Sequence, residues 1–301
     1  MSGQPVQKSR RRRVLRMIGL YGLLPYLAIV VIFTAMQRKL IYQPTAAASL
    51  RVADVGLDDK TMSDRQIRTP DGVTLNGWLI KAVTEPDGDE SAPLVIYFPG
   101  NAVHRYARRH DLLEVASYGF DVLIFDYRGY GDNEGSPTET ALTADARLIW
   151  DYARDELGYA ENRIVVFGES LGGGVALSLW SGDPADDPEP AAVVLNSTFS
   201  SLTDTVRGMY PLFPFQYLLL DRWESKERIR RVRCPIVAFH GTADELIPVE
   251  QAQILSQAAA GNLQVFKIQG AGHNNLPIRN LRRELERLRE AIMADDEDAL
   301  F

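Results

Sequence analysis

Cysteine is almost missing from this 301-residue chain: Cys234 stands alone, so no intrachain disulfide can form and the redox compartment is not encoded in the cysteine count. Histidine is nearly as scarce. There are four, and only His240 and His273 follow position 170. No internal repeat recurs, no glycine-rich loop has phosphate-cradling spacing, and no cluster of His, Cys, Asp and Glu has metal-ligand spacing. His104 and His110, six residues apart on a basic segment without matching carboxylates, suit a surface role better than ligation. Neither cofactor nor metal is expected. Acidic residues are absent from positions 1–40, which carry +8, so the formal charge of −7 places −15 on the remainder. An acidic body argues against nucleic acid as a partner.

The basic N-terminus has a clear pattern. Lys8, Arg10 to Arg13 and Arg16 precede an uncharged run from Met17 to Met36. Twenty helical residues rise about 30 Å, the thickness of a bilayer's hydrocarbon core. A cleaved signal peptide would have a shorter apolar region of roughly 7–15 residues with a small-residue site close behind. Here Arg38 and Lys39 follow instead, and Ala46 to Ala48 lie further on. The expected organisation is a basic segment (1–16), a transmembrane anchor (17–36), a linker (37–64), a catalytic domain (65–293) and an acidic tail (294–301). Six positive residues before the span and two after it put the N-terminus in the cytoplasm, with the catalytic domain on the non-cytoplasmic side.

The stretch around which the rest is organised runs from Arg163 to Gly174. A β-branched and aromatic run, Ile164 to Phe167, stops at Gly168, and a helix-like run begins at Leu171. Gly168-Glu169-Ser170-Leu171-Gly172 therefore occupies a strand-to-helix turn. In such an elbow a strained serine holds its hydroxyl above the sheet edge, and the flanking glycines avoid collisions with neighbouring backbone. A hydroxyl is a poor nucleophile without a base, and the base needs an acid to orient it. His273 lies in a Gly-rich loop after the strand-like Leu263 to Ile268. Asp244 lies just past the apolar run that ends at His240. Ser170, Asp244, His273 is the nucleophile, acid, base order of α/β-hydrolases. An oxyanion hole is expected from the backbone N–H groups of Asn101 and Leu171, with Ala102 as the alternate for Asn101.

On these stretches, together with Phe98-Pro-Gly-Asn-Ala102, Asp126-Tyr-Arg-Gly-Tyr-Gly131, Glu134 to Thr138, Gly241 to Asp244 and Gly272-His273, the chain resembles the α/β-hydrolases. The resemblance is to their short-lid, membrane-anchored branch, related to serine-aminopeptidase-like and acyl-protein thioesterase-like hydrolases. It spans about residues 65 to 293. It implies a doubly wound, mostly parallel sheet with an N-terminal hairpin, and a loop at 126–138 that is chiefly structural, with Asp126 and Arg128 in ion pairs. Relatives usually carry His-Gly-Asn where this chain has Pro99-Gly100-Asn101.

Alternating apolar strands and helices support the same α/β class. Gln66 to Arg68 and Val73 to Ile80 form a hairpin through Thr69 to Gly72, and Glu85 to Glu90 make an acidic turn. Met209 to Leu220 is an apolar insertion containing Pro211 and Pro214. Overhanging the sheet edge that carries Ser170, it suits a short lid whose Phe213, Phe215 and Leu219 line an acyl pocket. The resulting expectation is a membrane-anchored serine hydrolase for carboxylic esters or thioesters, fatty-acyl ones among them. Its partners would be a small-molecule or lipid acyl substrate and the membrane. A peptidase or amidase for short peptides, and a non-catalytic anchored binding protein on the same fold, stay open.

Overall fold

The computed structural model describes residues 11–14, 16–17, 19–83, 91–296 and 298–300. Lys8, Arg10 and the acidic turn expected at 85–90 lie outside them. Eight strands form one sheet: β1 (Met62–Arg68), β2 (Thr74–Ile80), β3 (Leu94–Phe98), β4 (Asp121–Phe125), β5 (Ile164–Glu169), β6 (Ala192–Asn196), β7 (Ile236–Gly241) and β8 (Leu263–Ile268). Their spatial order is β1-β2-β4-β3-β5-β6-β7-β8. β1 pairs antiparallel with β2, and β2 antiparallel with β4. Every later pairing is parallel. The hairpin and the doubly wound sheet are as the sequence predicts, with β1 beginning at Met62 rather than Gln66.

All five residues of β3, β4 and β6 are buried, because helices cover both faces of the sheet. Side chains alternate along each strand. Leu94, Ile96 and Phe98 of β3 therefore enter one core while Val95 and Tyr97 enter the other. α1 (Leu24–Ile41) is the C-terminal part of an apolar helix, Arg11–Ile41, long enough to cross a membrane. A π-helical turn at Gly19–Leu23 precedes it. Pro25 has no N–H to give the preceding turn and its ring crowds that turn's carbonyl, so the ladder widens there.

The segment expected as a linker packs on the domain. Tyr42, Leu50 and Val52 are buried, and Trp78 Nε1 donates to the Leu50 carbonyl at 2.9 Å. The Trp78 contact joins side chain to main chain, so no hydrophobic period marks it. The 126–138 loop is held by ion pairs, and Asp126 and Arg128 have separate partners. Arg128 binds Asp145 at 2.5 Å and Asp71 at 2.8 Å. Asp126 binds Arg105, and both side chains are shielded from water. Arg105 also reaches Asp132 at 2.8 Å and lies over the Trp78 ring at 5.2 Å.

Burial pushes the Asp126 carboxyl up to about 6 despite the pull of Arg105. Removing one partner of such a buried pair costs about 3–5 kcal/mol. Arg105→Met should show that loss in urea denaturation, whereas Arg68→Met, at an exposed site with no ion-pair partner among the described residues, should stay within about 0.5 kcal/mol. A carboxyl whose folded pKa lies above its unfolded value costs stability as pH rises through the folded value, and losing Arg105 raises it further. The Arg105→Met deficit should therefore be larger at pH 8 than at pH 5.

Candidate active site

β5 ends at Glu169, and the next residue, Ser170, has φ 51° and ψ −114°. α/β geometry forces this: the chain must leave the sheet and enter helix α4 (Leu171–Leu177) within one residue (α2 being Arg109–Ser117 and α3 Glu139–Asp151). A side chain in that region of backbone space is strained, and the surroundings must hold it there. Ser170 N–H donates to the Asn196 carbonyl at 2.8 Å, and the Ser170 carbonyl accepts from Thr198 Oγ1 at 2.8 Å and Gly173 N–H at 3.0 Å. Close approach makes glycine necessary on both sides. A Cβ at Gly172 would lie 2.0 Å from the Phe98 carbonyl oxygen, and one at Gly168 would lie 2.6 Å from Gly173 Cα.

Ser170 Oγ lies 3.0 Å from His273 Nε2, and His273 Nδ1 lies 2.8 Å from Asp244 Oδ2. The three expected residues are thus in one hydrogen-bonded file. Asp244 follows β7 and its side chain is fully shielded from water. Its other oxygen accepts the N–H groups of Leu246 at 3.0 Å and Ile247 at 2.8 Å. Burial alone would raise its pKa, but hydrogen bonds from His240, His273 and Ile247 outweigh it and hold the carboxyl far below the ordinary range. A permanently ionised, fixed carboxylate keeps the proton of His273 on Nδ1 and leaves Nε2 free to accept one. His240 is differently placed. Its Nε2 meets the Ile247 carbonyl at 2.7 Å and is 3.5 Å from Asp244 Oδ2. A carbonyl only accepts, so that nitrogen carries a proton and His240 braces the Asp244 loop.

The loop after β3 sits against the elbow, since a Cβ on Gly100 would be 3.6 Å from Ser170 Cβ. The amide of Ala102, the alternate oxyanion donor, is engaged by Asn101 Oδ1 at 2.9 Å. The Asn101 amide has no acceptor among the described residues. Leu171 opens α4, where the first amides lack intrahelical acceptors. These two N–H groups are the candidate donors.

A cavity of about 290 Å³ opens at Ser170 and His273, lined by Tyr97, Arg108, Glu169, Asn274, Asn275 and Arg279 among others. Polar side chains make most of its wall, and Leu276, Pro277 and Ile278 make the rest. Glu169, the variable position inside the elbow motif, accepts from Tyr97 Oη at 3.0 Å and is ion-paired with Arg108. Sequence reading missed these residues, and only the cation at 108 and the anion at 169 hinted at the pair. Phe213, Phe215 and Leu219, expected to line an acyl pocket, are not among the lining residues. They pack on α1 instead: Phe215 stacks on Phe33 with centroids 3.7 Å apart, Phe213 stacks on Tyr26 at 5.2 Å, and Leu219 is buried in the same cluster. The insertion meets an apolar helix there, a neighbour that its own sequence does not announce.

Comparison with known proteins agrees with this architecture. A family model described as serine aminopeptidase, S33, matches residues 89–221. A Mycobacterium tuberculosis relative, the uncharacterised protein Rv2307c, is 34% identical over 280 residues, covering 93% of this chain and 95% of its own. The chain is an α/β-hydrolase. The lysophosphatidylserine lipase ABHD12 of Gallus gallus is 28% identical over 283 residues, 83% of this chain and 73% of its own. Among solved structures, the Pyrococcus furiosus esterase Pf2001 superposes with a TM-score of 0.61 at 20% identity, covering 83% of this chain and 98% of its own. That likeness is one of fold.

The elbow's dependence on glycine can be measured. In Gly172→Ala the new methyl must displace the β3 backbone, so the variant should lose about 3 kcal/mol or more by thermal unfolding. Gly182→Ala, with nothing within 4 Å of the added carbon, should stay within about 0.5 kcal/mol.

Proposed function

We propose that this α/β-hydrolase is a membrane-anchored serine esterase that cleaves carboxylic esters or thioesters through an acyl-enzyme. The observation that carries the reading is the file Ser170–His273–Asp244, at 3.0 and 2.8 Å, with the serine strained at a strand-to-helix elbow. Ser170 Oγ attacks the acyl carbon while its proton passes to His273 Nε2. Asp244 holds the imidazole and stabilises its charge. The oxyanion of the tetrahedral intermediate takes hydrogen bonds from the Asn101 and Leu171 amides. His273 then protonates the departing alcohol or thiol. Water, deprotonated by the same imidazole, releases the acid and restores Ser170.

Two features favour an ester of a lipid with a polar head. The cavity beside Ser170 is lined by Asn274, Asn275 and Arg279, and Arg279 is exposed without an ion-pair partner among the described residues. A polar leaving group fits such a wall better than an acyl chain does. The ABHD12 relative, a lysophosphatidylserine lipase, belongs to the same chemical class. Residues 17–36 are the proposed anchor, the basic 1–16 segment stays cytoplasmic, and the catalytic domain from 65 to 293 faces the other side of the membrane.

A fluorophosphonate probe should label the full-length protein and fail to label Ser170→Ala. Labelling that survives in Ser170→Ala would remove the serine from its assigned role. On a soluble short-chain ester His273→Ala should lose about 10³-fold or more of kcat, as loss of a triad base does. His240→Ala should lose far less. Equal losses in the two folded variants would overturn the assignment of the base. A cysteine at 298, introduced with Cys234 removed, should react with an impermeant maleimide added to the non-cytoplasmic face of intact cells, and reaction only after permeabilisation would reverse the orientation.

A further inference from the structure

α1 and the insertion, lying side by side, set a constraint on where the bilayer can be. The insertion lines one stripe of the helix, from Tyr26 through Val30 and Phe33 to Gln37. α5 (Leu202–Met209) leads into the insertion and α6 (Phe215–Leu218) lies within it. From Met17 to Tyr26 a helix rises only about 14 Å, and a hydrocarbon core is about 30 Å thick. Even from Arg11, with four arginines drawn into the apolar layer, the rise to Tyr26 is about 22 Å. A tilted helix would need more residues. The core must therefore include part of the helix that the insertion covers.

Resting on the anchor reading above, we infer that Gly208 to Leu220 is seated in the apolar layer of the leaflet on the catalytic domain's side. Keeping the arginines at the opposite headgroups puts the Tyr26 end of the covered stripe about 16 Å below the domain-side surface of the core and the Gln37 end at that surface. Its surface matches that solvent. No charged residue occurs from Gly208 to Leu220. Leu212 is 83%, Tyr217 75% and Leu220 63% exposed, and Leu24, Leu27 and Val31 of α1 are exposed too. Arg207 and Arg222 flank the run, where long cations can reach headgroups.

Part of the main chain is satisfied in the way that such depth requires. Irregular backbone survives at membrane depth only when its polar groups are satisfied by protein. Gln37 is buried, and its Nε2 donates to the Leu218 carbonyl at 3.1 Å while its Oε1 accepts the Leu220 N–H at 2.7 Å. Tyr26 Oη donates to the Leu212 carbonyl at 3.3 Å. Phe213 and Tyr217 N–H groups close turns onto Tyr210 and Pro214. Pro211 and Pro214 have no N–H to satisfy.

The test uses the full chain in phosphatidylcholine vesicles, with Cys234→Ser and an environment-sensitive fluorophore on a single introduced cysteine. Leu212→Cys reports the insertion, Leu20→Cys the anchor, and Lys60→Cys, in an acidic exposed loop, the aqueous domain. Leu212 and Leu20 should both be quenched several-fold more by nitroxide on lipid chains than Lys60, and both should be shielded from aqueous iodide. If Leu20 is lipid-quenched while Leu212 behaves like Lys60, the seating is overturned and the anchor stands. If Leu20 is not lipid-quenched, the anchor reading fails and takes the seating with it. Leu212 shielded from iodide yet untouched by lipid nitroxide, with cross-linking between copies at that site, would mean that a second copy covers the patch, and this also overturns the proposal.

Discussion

The structure depends above all on a steric constraint, the backbone of Ser170 held at positive φ between β5 and α4. Nothing in serine favours that conformation. It persists because β3 and β6 close on the turn: the Phe98 carbonyl allows no side-chain atom at residue 172, and Asn196 and Thr198 bind both main-chain groups of Ser170. The parallel register of β3, β5 and β6 brings these groups to one level, pairing Phe98 with Gly168 and Glu169 with Asn196. Strain of this kind is of order 1–3 kcal/mol and is sustained by a sheet buried on both faces. The two apolar cores serve the geometry of one hydroxyl.

The loop after β3 is constrained in its turn from the direction of the apolar helix α1. Asn101 Nδ2 donates to the Ile41 carbonyl, the last of α1, at 2.6 Å. Its Oδ1 accepts from Gln43 N–H at 3.0 Å, Ala102 N–H at 2.9 Å and Tyr130 Oη at 2.6 Å. One side chain thus joins the end of the helix, the strained Ala102 at φ 62°, and the 126–138 loop. The carboxamide engages the neighbouring amide and leaves that of Asn101 itself free. One carboxamide therefore ties the end of the helix to the candidate oxyanion loop.

Local pattern carried much of this. The elbow was legible because a β-branched run, two glycines and a helix-forming run follow one another within a dozen residues. The order of Ser170, Asp244 and His273 was legible because few histidines compete and each follows a strand. Contacts without a local period were not. Arg105 reads as one basic residue in a basic helix, yet it is buried on Asp126 beneath Trp78. Glu169 reads as the variable letter of a motif, yet it shapes the polar cavity. The stacking of Phe215 on Phe33 joins residues nearly two hundred apart, and either segment alone reads as something that faces lipid or substrate.

That last contact changes what the apolar residues of the insertion are for. A side chain can cover only one surface. Phe213, Phe215 and Leu219 cover α1, so their burial fixes the helix to the domain and contributes nothing to an acyl site. Burying each is worth roughly 1.5–3 kcal/mol, enough for three together to hold the two elements in one geometry. The outward Leu212, Tyr217 and Leu220 then present the surface that an isolated lid would have turned toward substrate. On the proposed reading, the polar part of the cavity wall would take the head of an amphiphilic ester, and its chain would find its most favourable surroundings in lipid around the insertion. An enzyme so arranged would need no deep apolar pocket, because the membrane would supply that solvent.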